Sequence, residues 1–170
     1  MVSWWNGYHT CLRNMDLGFE SLRDRQVIVM EINYRLFTKE DSEAVIDLWR
    51  RCELIVPWNA PEKDILRKLS VNDDLFILAE EKGGIIGSAM GGYDGHRGYI
   101  YYLAVLPEFQ KKGVGSEILK KIETKLLNRG CPKINLFVRN TNLRVQAFYK
   151  KNKYKIQESQ IYGKRLIDDN

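Results

Sequence analysis

Residues Tyr99 to Leu106 read Y-I-Y-Y-L-A-V-L, and Gln110 to Gly115 read Q-K-K-G-V-G. From Val114 onward, Val114, Ile118, Ile122 and Leu126 recur every four residues, the period of a buried helix face. Strand, basic glycine loop and helix in direct succession fit a chain that turns backbone N–H groups toward a diphosphate. Gly113 and Gly115 offer no side chain to block the approach, and the helix N-terminus adds its dipole. Lys111 and Lys112 add formal charge. Two better-known phosphate loops are excluded. A P-loop requires a lysine after its last glycine, and Ser116 stands there; the dinucleotide fingerprint requires a third glycine where Ile118 stands. The remaining pattern is Q/R-x-x-G-x-G/A, met here as Q-K-K-G-V-G.

A chain of 170 residues has the size of one domain with its own core. No apolar run reaches the length of a membrane span. Cys11, Cys52 and Cys131 are far apart and lack metal or redox spacing, so we expect free thiols, a cytoplasmic setting and no metal. Between Lys111 and Lys155 thirteen basic residues face two acids, Glu117 and Glu123, a local net charge of +11. Such a stretch attracts polyanions, whether nucleic acid or the phosphates of a nucleotide cofactor, and part of it is a solvated lysine-rich helix face.

Residues 1–29 differ in character from the rest, with Trp4, Trp5, Tyr8 and His9 and no clear period. We expect an appended or mis-assigned leader, or else an arm that packs on a partner, ahead of a domain over 30–170. Within that domain Ile32–Phe37 alternates as a strand. Thr38 to Asp41 resembles a capping box, and Val45, Leu48, Trp49 and Cys52 line one helix face. Pro61 opens a second helix with Ile65, Leu66 and Leu69 inward. Leu75–Glu80 and Ile85–Tyr93 form a hairpin around Lys82-Gly83-Gly84. After the long helix, Ile134–Val138 reads as a strand and Asn142–Lys151 as a helix with Val145, Phe148 and Tyr149 inward. Tyr154–Ile156 and Ile161–Ile167 read as two closing strands. The expected order is β-α-α-β-β-β-α-β-α-β-β, a mixed α/β sheet of about seven strands.

A second motif, N-T-N-L-R-V-Q-A-F-Y-K-K-N-K-Y over Asn140 to Tyr154, follows Val138-Arg139 at a strand end. Together with the glycine loop it resembles the acetyl-coenzyme A and catalytic segments of the GNAT N-acetyltransferases. The closest likeness is to the YpeA-type bacterial group, through P-W-N-A-P-E, G-G-Y-D-G-H-R-G, G-C-P-K-I and G-K-R-L-I. The resemblance implies a single-domain GNAT fold in which two central strands splay apart. It implies acetyl-CoA as co-substrate, its pantetheine arm along Leu103, Ala104 and Val105 and its diphosphate on Gln110, Lys111, Lys112, Gly113, Val114, Gly115 and Ser116. Asn142 would bind the pantetheine or phosphate region, and Tyr149 would protonate the departing thiolate.

The base is left open by the resemblance, because the position where many members carry a glutamate falls near Phe137, which does not titrate. Asp94, His96 and Glu108 are the local candidates for a proton relay. Histidine is the side chain whose chemistry best suits proton relay at neutral pH; Asp94-Gly95 equally suits a turn. Arg97 suits a substrate carboxylate or solvent, and Trp58 either lines the amine pocket or plugs a helix junction. One departure is Lys153, where the family usually has glycine; we expect Asn152 to supply the left-handed helix end instead. No cysteine has a neighbouring histidine, so direct attack by a primary amine of a small molecule or protein N-terminus in a ternary complex is expected. The alternatives are a non-catalytic acyl-CoA sensor and a tRNA-directed acetyltransferase. A plain nucleic-acid binder is disfavoured, because no helix-turn-helix or RNP pattern is present. A homodimer is compatible with the family and demanded by no feature.

Overall fold

The computed structural model describes residues 30–169; the expectation for 1–29 lies outside them. Five strands and four α-helices follow one another: β1 Ile32–Leu36, α1 Ser42–Arg51, α2 Pro61–Val71, β2 Phe76–Glu81, β3 Gly84–Tyr93, β4 Gly98–Val105, α3 Val114–Asn128, β5 Ile134–Asn135 and α4 Leu143–Lys151. The strands form one sheet in sequence order, β1-β2-β3-β4-β5. All neighbours are antiparallel except β4 and β5, which run parallel, so the sheet is mixed as expected.

Local chemistry explains the turns. Lys82 and Gly83 both hold positive φ, 51° and 79°, the conformation that matches the twist of a two-residue hairpin. Gly130, at φ 76°, ends α3 in the left-handed form that glycine adopts without strain.

Helices cover both faces of the sheet. Val45, Leu48 and Trp49 of α1 are buried against one face, and Trp49 Nε1 donates to Ser88 Oγ of β3 at 2.9 Å. On the other face, Ile118, Ile122 and Leu126 of α3 sit over glycines. A Cβ at Gly91 would meet Ile122 Cγ2 at 2.9 Å, and one at Gly98 would meet Leu126 Cδ1 at 3.0 Å. These glycines let α3 lie directly on the backbone.

Three expectations need correction. Among the described residues the sheet has five strands, not about seven. The β4–β5 ladder ends after two residue pairs, Gly98 with Ile134 and Tyr99 with Asn135, so Leu136–Val138 is not strand. With no ladder to extend, Tyr154–Ile156 and Ile161–Ile167 adopt no strand either, and Ile156, Ile161, Leu166 and Ile167 stay exposed. Alternating apolar residues signal propensity, but a strand also needs an open edge to pair with. Leu66 is exposed, because Pro61, Ile65 and Leu69 already form the narrow inward stripe of α2. Finally, Lys153 itself takes the left-handed conformation, φ 67°, while Asn152 stays at φ −86°. The backbone demanded by the family glycine is retained, and a lysine bears it.

Candidate active site

β4 is where the sheet opens. On its β3 side, Ser88 pairs with Ala104 and Met90 with Tyr101, so Tyr102 and Leu103 together oppose the single residue Ala89. This is a β-bulge, and Tyr102 sits in it at φ 49°. The bulge changes which residues face which way. Gly98, ahead of it, faces α3, and so does Val105 behind it, whose Cγ2 lies 3.5 Å from a Cβ built on Gly87 or Gly115. On the β5 side, no described residue pairs with β4 beyond Tyr99, so the edge of β4 toward Val105 is unpaired there.

The groups along that open edge can be followed singly. Leu106 N–H donates to Ile86 O, which turns the N–H and C=O of Val105 outward to the opening. Gln110 Nε2 donates to the Val105 carbonyl at 2.8 Å. Its Oε1 is buried without a hydrogen-bond partner among the described residues. An orphaned buried acceptor is costly unless a donor arrives. Burial raises the Cys52 thiol, and the facing Val105 amide works more weakly in the other direction.

The glycine loop closes this end of β4. Lys111 at φ 61° and Gly113 at φ 89° both hold left-handed backbone, and α3 begins at Val114. The backbone N–H groups of Lys111, Lys112, Gly113, Val114, Gly115 and Ser116 have no acceptor among the described residues, and no side chain caps α3. Such a run of amides at a helix N-terminus forms a concavity for an anion. Lys112 Nζ lies 5.2 Å over the Phe109 ring.

α4 leans on the same loop. A Cβ at Gly115 would touch Phe148 Cε2 at 3.4 Å, and Phe148 packs edge-on against Tyr149 with centroids 5.1 Å apart. Tyr149 in turn meets Tyr154 at 5.5 Å. The Tyr149 hydroxyl has no hydrogen-bond partner among the described residues, and burial pushes its pKa up to about 12. The phenol therefore stays protonated at neutral pH, with its proton free for a ligand. A recess of 1150 Å³ between α3, the β5 segment and residues 153–161 uses Tyr149 as part of its wall, but not residues 103–105 or 110–116. Asn142 is the N-cap of α4: its Oδ1 accepts from Val145 N–H at 3.1 Å.

The residues expected around the acceptor are spread out. Asp94 Oδ1 accepts from His96 N–H at 2.8 Å and Arg97 N–H at 2.7 Å. Its carboxylate closes the β3–β4 turn, and the Arg97 amide, followed by that of His96, holds it below the usual carboxylate range. Arg97 bonds the His96 carbonyl at 2.8 Å. This turn precedes Gly98, whereas the glycine loop follows Val105, so the two flank opposite ends of a strand about 25 Å long. Glu108 is paired with Arg51 at 2.7 Å. Trp58 is half exposed on the α1–α2 connection.

Residues 39–154 match the model of the acetyltransferase (GNAT) family. The chain belongs to that family. Its relatives include acetyltransferases of Pectobacterium atrosepticum, 52% identical over 140 residues, and of Yersinia enterocolitica, 50% identical over 140 residues; in each case the match covers 82% of this chain and 98% of the relative. The fold is similar to that of the aminoglycoside N-acetyltransferase AAC(6')-Iy in complex with CoA (TM-score 0.67, 19% identity, 81% of this chain and 97% of that one). It is also similar to the PaiA N-acetyltransferase of Thermoplasma acidophilum in complex with coenzyme A (TM-score 0.67, 23% identity, 77% and 94%). Among the described residues of this GNAT chain, no helix is long and apolar enough to cross a membrane.

The sequence reading of this acetyltransferase missed one group of residues. Tyr102 donates its phenol to Asp64 Oδ2 at 2.6 Å and accepts from Asn59 Nδ2 at 3.4 Å. Its ring stacks on Trp49 with centroids 4.0 Å apart. Burial, then the Asp64 bond, raises this phenol well above its ordinary pKa. In sequence, Tyr102 is one aromatic in a strand-like run and Asp64 one acid in the first turn of a helix, so neither carries a signal alone.

Proposed function

We propose that this GNAT protein transfers acetyl from acetyl-CoA to a primary amine, of a small molecule or a protein N-terminus, by direct attack in a ternary complex. The observation that carries the reading is the run of unpartnered amides from Lys111 to Ser116 beside the unpaired edge of β4. Diphosphate oxygens supply the acceptors those amides lack. The buried, orphaned Gln110 Oε1 fits an amide N–H of a pantetheine arm, and open space around Gly113 leaves the approach clear.

Acetyl-CoA brings an electrophilic acyl carbon and a thiolate leaving group. The outward Val105 N–H and the bulge at Leu103 offer backbone donors to polarise a carbonyl. In the reaction the neutral amine forms a C–N bond to the acyl carbon, the C–S bond breaks, and the amine's surplus proton leaves to solvent. Tyr149 donates to the departing sulfur. With its pKa near 12, above the ~8.5 of an ordinary thiol, the phenol acts chiefly as a hydrogen-bond donor and keeps its proton after turnover. Asp94, His96 and Arg97 belong in this proposal to the outer part of the acceptor path, not to the bond-making centre.

Calorimetric titration of acetyl-CoA, with thiol release followed over a panel of amines and peptides, tests the reading. Micromolar binding with turnover supports it. Binding without turnover of any amine would point to a sensor, and no binding would overturn it.

A further inference from the structure

The face of β4 opposite α3 holds more chemistry than acetyl transfer uses. Tyr99 and Tyr101 stand on it with ring centroids 6.1 Å apart, and Phe137 leans on Tyr99 at 6.3 Å. Tyr101 and Phe137 are 46% and 57% exposed, so the platform is open to a ligand. At the bulge end stands Asp64, held by the Tyr102 phenol at 2.6 Å. Arg67 is shared between two acids: its guanidinium gives two short contacts, 2.5 and 2.8 Å, to Asp169 and pairs with Asp64 Oδ1 at 3.2 Å. At the far end lies Asp94; burial first, then Tyr99 and the Asp94 charge, raise the Tyr101 phenol.

Tyr102 is fixed at both ends. Ser88 Oγ reaches its carbonyl at 3.4 Å, Trp49 stacks on its ring, and its hydroxyl is set between Asp64 and Asn59. A tyrosine held in left-handed backbone by this many contacts places the Asp64 carboxylate firmly beside the residue that opens the transfer site. A carboxylate attracts an ammonium, and tyrosine faces attract flat or cationic bodies.

We infer that the acceptor is a primary amine carried on an aromatic body, its nitrogen on Asp64 and its body on Tyr99, Tyr101 and Phe137. The inference rests on the acetyl-transfer reading above and names its substrate class. Asp64 is a positioning residue here: it orients the nitrogen and stabilises the positive charge that grows there as the C–N bond forms.

The test uses phenethylamine and hexylamine as probes with the full chain, by thiol release and by calorimetric binding of each amine. Phenethylamine is expected to exceed hexylamine at least tenfold in kcat/KM. Asp64→Asn is expected to raise KM for phenethylamine at least tenfold, with acetyl-CoA affinity within twofold and a cooperative melt retained at a slightly lower temperature. Asp64→Glu should recover part of that loss, and Tyr101→Leu should bring the ratio of the two amines toward one. Equal use of the two amines, no turnover of phenethylamine by protein that binds acetyl-CoA, or a wild-type KM in Asp64→Asn would overturn the inference. Phenethylamine binding that depends on Asp64 in protein that fails to bind acetyl-CoA would sustain the platform and sink the transfer reading alone.

Discussion

Phe148 of α4 lies against Gly115 of α3, 3.4 Å from where a Cβ would stand. That is ordinary van der Waals contact, so a methyl fits. Gly115→Ala should keep the fold, and its better helix propensity, up to about 1 kcal/mol, should leave the melting temperature equal or slightly higher. The methyl meets the Phe148 ring and Val105 Cγ2 rather than the loop amides, so acetyl-CoA affinity should stay within about twofold. A melt and a titration on one sample check both; a destabilised variant, or one that no longer binds acetyl-CoA, would contradict this account of the loop.

Tyr149→Phe should leave acetyl-CoA affinity within about twofold and lower kcat by ten- to a hundredfold, in the range of lost general-acid or hydrogen-bond assistance. Burial holds the phenol up to about 12, so it remains protonated through the physiological range. The wild-type kcat profile should therefore show no loss on the alkaline side up to pH 10 that Tyr149→Phe removes. Steady-state kinetics across pH 6 to 10 checks both.

Much of this centre is legible from sequence, and the reason is periodicity. Val114, Ile118, Ile122 and Leu126 repeat cleanly, glycines mark the loop, and the structure buries all four apolar positions. The bulge is not legible, because Tyr99 to Val105 reads as one regular strand. Only tertiary contacts, the Trp49 stack and the Asp64 bond, hold a tyrosine in left-handed backbone. The closing strands were over-read for the opposite reason: Ile161, Leu166 and Ile167 have strand propensity, but the β4–β5 ladder stops at Asn135.

Asp41 links the first strand to α1. Its carboxylate accepts from Arg35 at 2.7 and 2.8 Å and from Thr38 N–H at 2.8 Å, and the Arg35 bond, ahead of the others, lowers its pKa. A carboxylate with a lowered folded-state pKa adds stability above its unfolded value, about 3.9, and loses it as pH falls through the folded value. Asp41→Asn should therefore melt lower than wild type at pH 7, by about 1–2 kcal/mol. The gap should close only below pH 4. Thermal melts at pH 7, 5 and 3 check the sign.

Lys153 carries a left-handed backbone at φ 67°. Lys153→Gly removes the steric cost of its Cβ there, partly offset by added freedom in the unfolded chain, for a net gain of about 0.5–1 kcal/mol. A rise of a few degrees in melting temperature is expected. A fall would mean that the lysine side chain stabilises the end of α4 by a contact stronger than the strain.

The extra residue in β4 makes the two halves of that strand separate devices. The first half is tied to β5 and to the Asp94 turn and carries the proposed acceptor platform; the second, beyond Leu103, leads into the glycine loop. Deleting a single residue at 102 or 103 would restore an unbroken ladder with β3 and leave Val105 opposite Gly87, still toward α3. Such a protein would gain regular hydrogen bonds and lose the hold of the Tyr102 phenol on Asp64. In the proposed reading, irregularity at this one position lets a single strand face two different molecules at once.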